Sequence, residues 1–80
     1  MDTKADIKLS FTTAERALVR DALLQYMEEH SIGVPMLYNR IHRNDPLKRE
    51  MSSKTLQRFL AHANQTQNSN VSMCFEFVKQ

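Results

Sequence analysis

VSMCFEFVKQ, residues 71–80, decides between two folds. Val71, Cys74, Phe75 and Val78 recur at spacings of three and four, as on one side of a helix, while Val71, Met73, Phe75 and Phe77 alternate as on one face of a strand. The aromatic content favours the strand. IKLSF, residues 7–11, offers that strand a partner, because Ile7, Leu9 and Phe11 alternate with Lys8 and Ser10. Two architectures follow. If 71–80 is helical, the chain is mainly α, a small bundle of four short helices behind an N-terminal arm at 1–11. If it is extended, the chain is an α+β domain with short strands at 7–11 and 71–78.

Upstream of this stretch, NQTQNSN, residues 64–70, has no apolar residue and predicts an exposed loop. SSKTLQRFL opens a helix predicted over residues 52–62, which Ser52 or Ser53 can cap and which carries Leu56, Phe59, Leu60 and Ala63 inward. Before it, HRNDPLKREM contains the turn chemistry of Asn44, Asp45 and Pro46 and predicts a connection of some eight residues. VPMLYNRIHR, residues 34–43, predicts a short helix with Pro35 in its first turn and Val34, Leu37, Tyr38 and Ile41 at helical spacing. A longer helix precedes that one. Its start is marked by Thr12 and Glu15 in the capping-box arrangement, and its inner stripe by Leu18, Val19, Ala22, Leu23, Tyr26 and Met27. Phe11 stands where it could staple back onto Glu15 or Arg16. Gly33, the single glycine, is placed to take a positive φ or a sharp turn after His30.

With 80 residues the chain makes one domain, 12–80 behind its arm, and folding buries only about two thirds of its unfolded surface. A hydrophobic content of 41% beside 25% charged residues is that of a globular protein and excludes a chain disordered throughout. No window approaches the roughly 18 apolar residues a membrane span needs, and MDTKADIK lacks the layout of a signal peptide. The expected location is the cytoplasm, without membrane partners. The lone Cys74 excludes an internal disulfide. Charge is unevenly spread: residues 40–62 hold Arg40, Arg43, Lys48, Arg49, Lys54 and Arg58 against Asp45 and Glu50, whereas residues 1–39 are net acidic. Such a basic stretch can supply the sequence-independent part of phosphate binding, or it can be an ordinary solvated face.

The residues of MSSKTLQRFLAH carry a more specific likeness. Met51, Ser52, Thr55, Leu56, Arg58 and Phe59 stand in the order of the recognition helix of the lambda repressor and Cro-like (XRE-type) helix-turn-helix family, and the stretch resembles it. IGVPMLYNRI resembles the first helix of the same motif, with Ile32, Leu37 and Ile41 at its buried positions. The turn departs from the family pattern, being longer and containing Pro46 in place of a glycine, and Tyr38 stands where the family usually has a small residue. The resemblance implies a DNA-binding regulator of transcription with duplex DNA as partner, functioning without a cofactor. It implies base contacts from Ser53, Lys54, Gln57 and Arg58, and phosphate contacts from Arg40, Arg43, Lys48, Arg49 and Ser52. A single unit would cover a half-site, so a homodimer or another protein partner is implied too, with the outer side of 71–80 as the candidate surface.

Catalytic and metal chemistry find no footing in the pattern. His30, His42 and His62 have no partner at ligand or catalytic spacing, Cys74 has no second cysteine, and Glu28 and Glu29 point about 100° apart on a helix. The chain is expected not to be an enzyme. The alternative function is a small helical protein-interaction module that never touches nucleic acid, with Met36, Tyr38 and Met51 in an adhesive patch.

Overall fold

A computed structural model describes residues 7–79 of the chain. Helix α1 spans Thr13–His30, α2 Val34–Arg43, α3 Ser53–Ala61 and α4 Asn68–Val78, with a single 3₁₀ turn, Ala63–Gln65, between α3 and α4. The fold is mainly helical, and no strand occurs among the described residues. Residues 1–6 of the expected arm lie outside the described residues, and residues 7–11 form no strand.

α4 is helical because, beyond its exposed first residues Asn68 and Ser69, no residue from Val71 to Val78 is left exposed. Val71, Ser72, Met73, Cys74 and Glu76 are buried, Phe75, Phe77 and Val78 are half-buried, and the helix packs against each of α1, α2 and α3. A helix with so little exposed surface needs no polar stripe, which is why its sequence reads as ambiguous between periods of 3.6 and 2. The aromatic residues that favoured a strand serve as inter-helix packing instead. Phe75 meets Phe11 edge-on with ring centroids 5.5 Å apart, and Phe77 meets Tyr26 at 5.0 Å. Phe11 thus folds onto α4 rather than onto Glu15 or Arg16. Within residues 71–79 only Lys79 is exposed, while Phe75, Phe77 and Val78 keep part of their surface accessible.

α1 begins with the complete capping box: Thr12 N–H donates to Glu15 Oε1 at 2.8 Å, and Glu15 N–H to Thr12 Oγ1 at 3.1 Å. The hydrogen bond from Thr12 N–H, which outweighs the opposing effect of desolvation and is helped by the nearby Lys8 charge, holds the Glu15 carboxyl below its ordinary range. The inner stripe holds at Val19 and Leu23, which are buried, and at Tyr26 and Met27, which pack partly buried against them. Leu18 does not belong to it, being 69% exposed. The helix ends in a Schellman arrangement, with Ile32 N–H donating to Met27 O and Ser31 N–H to Glu28 O. Its left-handed residue is Ser31, at φ 53°, and not Gly33, which takes an ordinary extended conformation at φ −99° as the N-cap of α2.

Leu37 and Ile41 of α2 and Leu56 and Phe59 of α3 are fully buried and meet Val71, Met73 and Cys74 of α4 in one core. The loop expected at 64–70 is shorter than its composition suggested. Asn68–Asn70 already belong to α4, and Thr66 is buried because Arg16 of α1 reaches across to this link. The Arg16 guanidinium donates to the carbonyls of Ala63 and Thr66 and to Asn68 Oδ1, so a single side chain satisfies three acceptors of a segment that has few bonds of its own. No helix among the described residues is long and apolar enough to cross a membrane.

Candidate functional site

The α2–α3 connection, residues 44–52, is pinned at both ends, and this fixes how α3 is presented. Lys48 adopts a left-handed conformation, φ 56°, which turns the chain so that Arg49 N–H reaches Asp45 Oδ2 at 2.8 Å. The Arg49 side chain returns to the same carboxylate, Nε to Oδ2 at 3.1 Å and one terminal nitrogen to Oδ1 at 2.7 Å, while its other terminal nitrogen donates to Ser72 Oγ of α4 at 3.0 Å. Burial pushes the Asp45 carboxyl up, but the hydrogen bonds and charge of Arg49 outweigh that and leave it below the ordinary aspartate range. At the far end Met51 N–H donates to His42 Nε2 at 3.1 Å. His42 Nδ1 lies 2.8 Å from the Tyr38 carbonyl, so this nitrogen is the donor of that bond. Tyr38 itself packs its ring on His42, centroids 4.1 Å apart.

Directly after this clasp Ser52 caps α3, its Oγ accepting from Thr55 N–H at 3.1 Å. Leu56 and Phe59 anchor the inner side of the helix, and Ser53, Lys54, Gln57 and Arg58 are all exposed on the opposite side. The structure therefore brings the four expected base-contacting side chains together on one free helix face, and no carboxylate among the described residues pairs with Lys54 or Arg58.

The five residues expected at phosphates divide. Arg43 and Lys48 are exposed. Arg40 instead donates to the Tyr26 hydroxyl at 2.7 Å with its guanidinium 5.8 Å from that ring centroid, tying α2 to α1. Arg49 has its guanidinium committed to Asp45 and Ser72, and the Ser52 hydroxyl is engaged in capping and in a 2.9 Å bond with the Thr55 hydroxyl. The physical reason is common to all three: the donors and acceptors that suit a phosphate also satisfy polar groups inside the fold, and residue type alone does not distinguish the two uses.

One feature escaped the sequence reading. Thr55 and Arg58 of α3, Gln65, Thr66, Gln67 and Asn70 line a polar cleft of about 300 Å³ where α3 passes the start of α4. The available signal was the absence of any Asp or Glu between Met51 and Phe75.

Elsewhere, Cys74 is buried and its thiol is pushed up to about 12 by desolvation, which makes it a packing residue and a poor nucleophile. No group of three or more His, Cys, Asp or Glu among the described residues is placed to hold a metal ion. Set against known protein families, curated proteins and solved structures, the chain matches none.

Proposed function

We propose that the protein is a DNA-binding regulator of transcription that reads duplex DNA with α3, acting in the cytoplasm. The observation that supports this reading is the clustering of Ser53, Lys54, Gln57 and Arg58 on the exposed side of a helix whose other side is locked by Leu56 and Phe59. A major groove admits one α-helix and presents a distinct donor and acceptor pattern for each base pair. Gln57 can pair with an adenine edge and Lys54 with a guanine edge, each good bidentate contact giving about 1–3 kcal/mol of discrimination. Arg43 and Lys48, at the end of α2 and in the clasped turn, supply charge for the phosphates without reading sequence. One unit covers a half-site, so tight binding calls for a second unit one helical turn away.

The test is a titration of the chain with a mixed-sequence duplex at low and then moderate salt, followed by backbone amide shifts. Shifts confined to α3 and its flanks that fade as salt rises are expected. Shifts absent at low salt, or located on α1, would overturn the reading.

A second reading, a helical protein-interaction module, has its own observation on α1. Leu18 is exposed, and Ala22 and Tyr26 further along the helix line a groove of about 240 Å³ with Phe77 and Val78. The adhesive patch expected from Met36, Tyr38 and Met51 does not form as a unit, because Met51 is buried beneath the turn.

A further inference from the structure

The polar cleft beside α3 has the chemistry of an anion site. Its lining offers the Arg58 guanidinium and the amides of Gln65, Gln67 and Asn70, with Thr55 and Thr66 completing the wall. No carboxylate stands anywhere in the sequence from Met51 to Phe75 to oppose an anion there. Two further observations point the same way. Thr66 is only 6% exposed, yet its hydroxyl has no hydrogen-bond partner among the described residues, a costly state for a buried donor. α4, 11 residues long, opens at this cleft after Gln67, whose side chain makes no capping bond, so the positive end of the helix is unscreened there. Space is adequate: about 300 Å³ is roughly ten times the ~30 Å³ share of a water in the liquid, enough for a phosphate and part of its hydration shell.

Thr55 and Arg58 belong both to this cleft and to α3, so an anion held here lies next to whatever α3 binds. We infer that the cleft holds a backbone phosphate of the bound duplex and that Arg58 is its principal ligand, a phosphate contact and not a base contact. The inference rests on α3 facing DNA, and it divides the labour within that helix. Lys54 and Gln57, nearer its start, read bases, while Arg58, with the 3₁₀ turn and the start of α4, sets the register of the backbone.

Fluorescence anisotropy of a labelled mixed-sequence duplex, titrated with the full chain at several salt concentrations, tests this. Arg58→Ala removes one phosphate contact and should lower the slope of log affinity against log salt by about 0.9. Gln67→Asp and Gln67→Asn both supply the missing cap to α4 and should raise Tm, but only Gln67→Asp places a negative charge at the cleft. The aspartate variant should therefore bind several-fold more weakly than the asparagine variant at low salt, the two converging as salt rises. An unchanged slope in Arg58→Ala, or equal binding by the two Gln67 variants, overturns the assignment of the cleft. If Gln57→Ala still weakens binding in that case, α3 as the DNA-facing helix stands without it. A chain that binds no duplex even at low salt overturns the DNA reading and this inference together.

Discussion

Ser31 carries the left-handed backbone conformation that ends α1, a region in which a Cβ is crowded by the following carbonyl and glycine is favoured. Ser31→Gly should relieve that strain and, after the greater freedom of glycine in the unfolded chain is subtracted, stabilise the protein by about 0.5–1 kcal/mol. Urea denaturation checks this, through a higher midpoint at an unchanged slope. Gly33, by contrast, has room for a Cβ, whose nearest neighbour would be Pro35 Cδ at an ordinary 3.7 Å. Its presence is not explained by backbone strain. The choice between the two residues is invisible in the sequence, where only glycine advertises positive φ. The Schellman bonds from Ser31 and Ile32 decide it, by closing the helix two residues earlier. Cys74 belongs to the same scale. With its thiol raised to about 12 and its side chain buried, it should react with a maleimide only after unfolding, and labelling of the native chain at neutral pH would contradict its packing.

The element that most shapes α3 is the nine-residue clasp before it. Its boundaries were legible from Asn44, Asp45, Pro46 and the serines, because turn and cap chemistry are local. What held it was not legible, since an Asp and an Arg four residues apart in a polar loop read as solvated charges. The side chain of Asp45 is fully buried and that of Arg49 is 18% exposed, so Asp45→Asn breaks a mostly buried pair and strands the guanidinium. A loss of about 2–4 kcal/mol is expected, the lower end reflecting the remaining solvent contact of Arg49. The pH dependence has a definite sign. Because the folded Asp45 titrates below its ordinary range, its contribution is fully present above the unfolded value and is lost as pH falls through the lower folded one. Thermal melts between neutral and strongly acidic pH should show an acid limb that is shallower in Asp45→Asn. An equally steep limb would place the acid sensitivity elsewhere. The clasp also explains why Arg49 is a positioning residue: it holds the turn to Ser72 of α4, and through the turn the start of α3.

For the molecule as a whole, the core and the candidate site share one helix, so their contributions can be separated by substitution. Phe59→Ala should cost on the order of 3–5 kcal/mol by emptying the centre of the core, whereas Gln57→Ala, on the exposed side of the same helix, should change stability by less than about 0.5 kcal/mol. If α3 reads bases, Gln57→Ala should nevertheless lose about 1–3 kcal/mol of DNA affinity, and chemical denaturation beside a duplex titration compares the two directly. The sequence alone determined the capping box at Thr12 and Glu15, the spans of α1, α2 and α3, the inward set Leu37, Ile41, Leu56 and Phe59, and the grouping of polar side chains on α3. These depend on the helical period and on caps, which act within a few residues. Only the tertiary structure decided that 71–78 is a helix, because its pattern records burial by three neighbours at once rather than a single period. It alone decided that Arg40 and Arg49 turn inward while Arg43 and Lys48 stay exposed, and that Arg58 shares a cleft with residues up to twelve positions away. A guanidinium carries the same donors wherever it lies, and which acceptor it meets is set by the packing of helices distant in the chain.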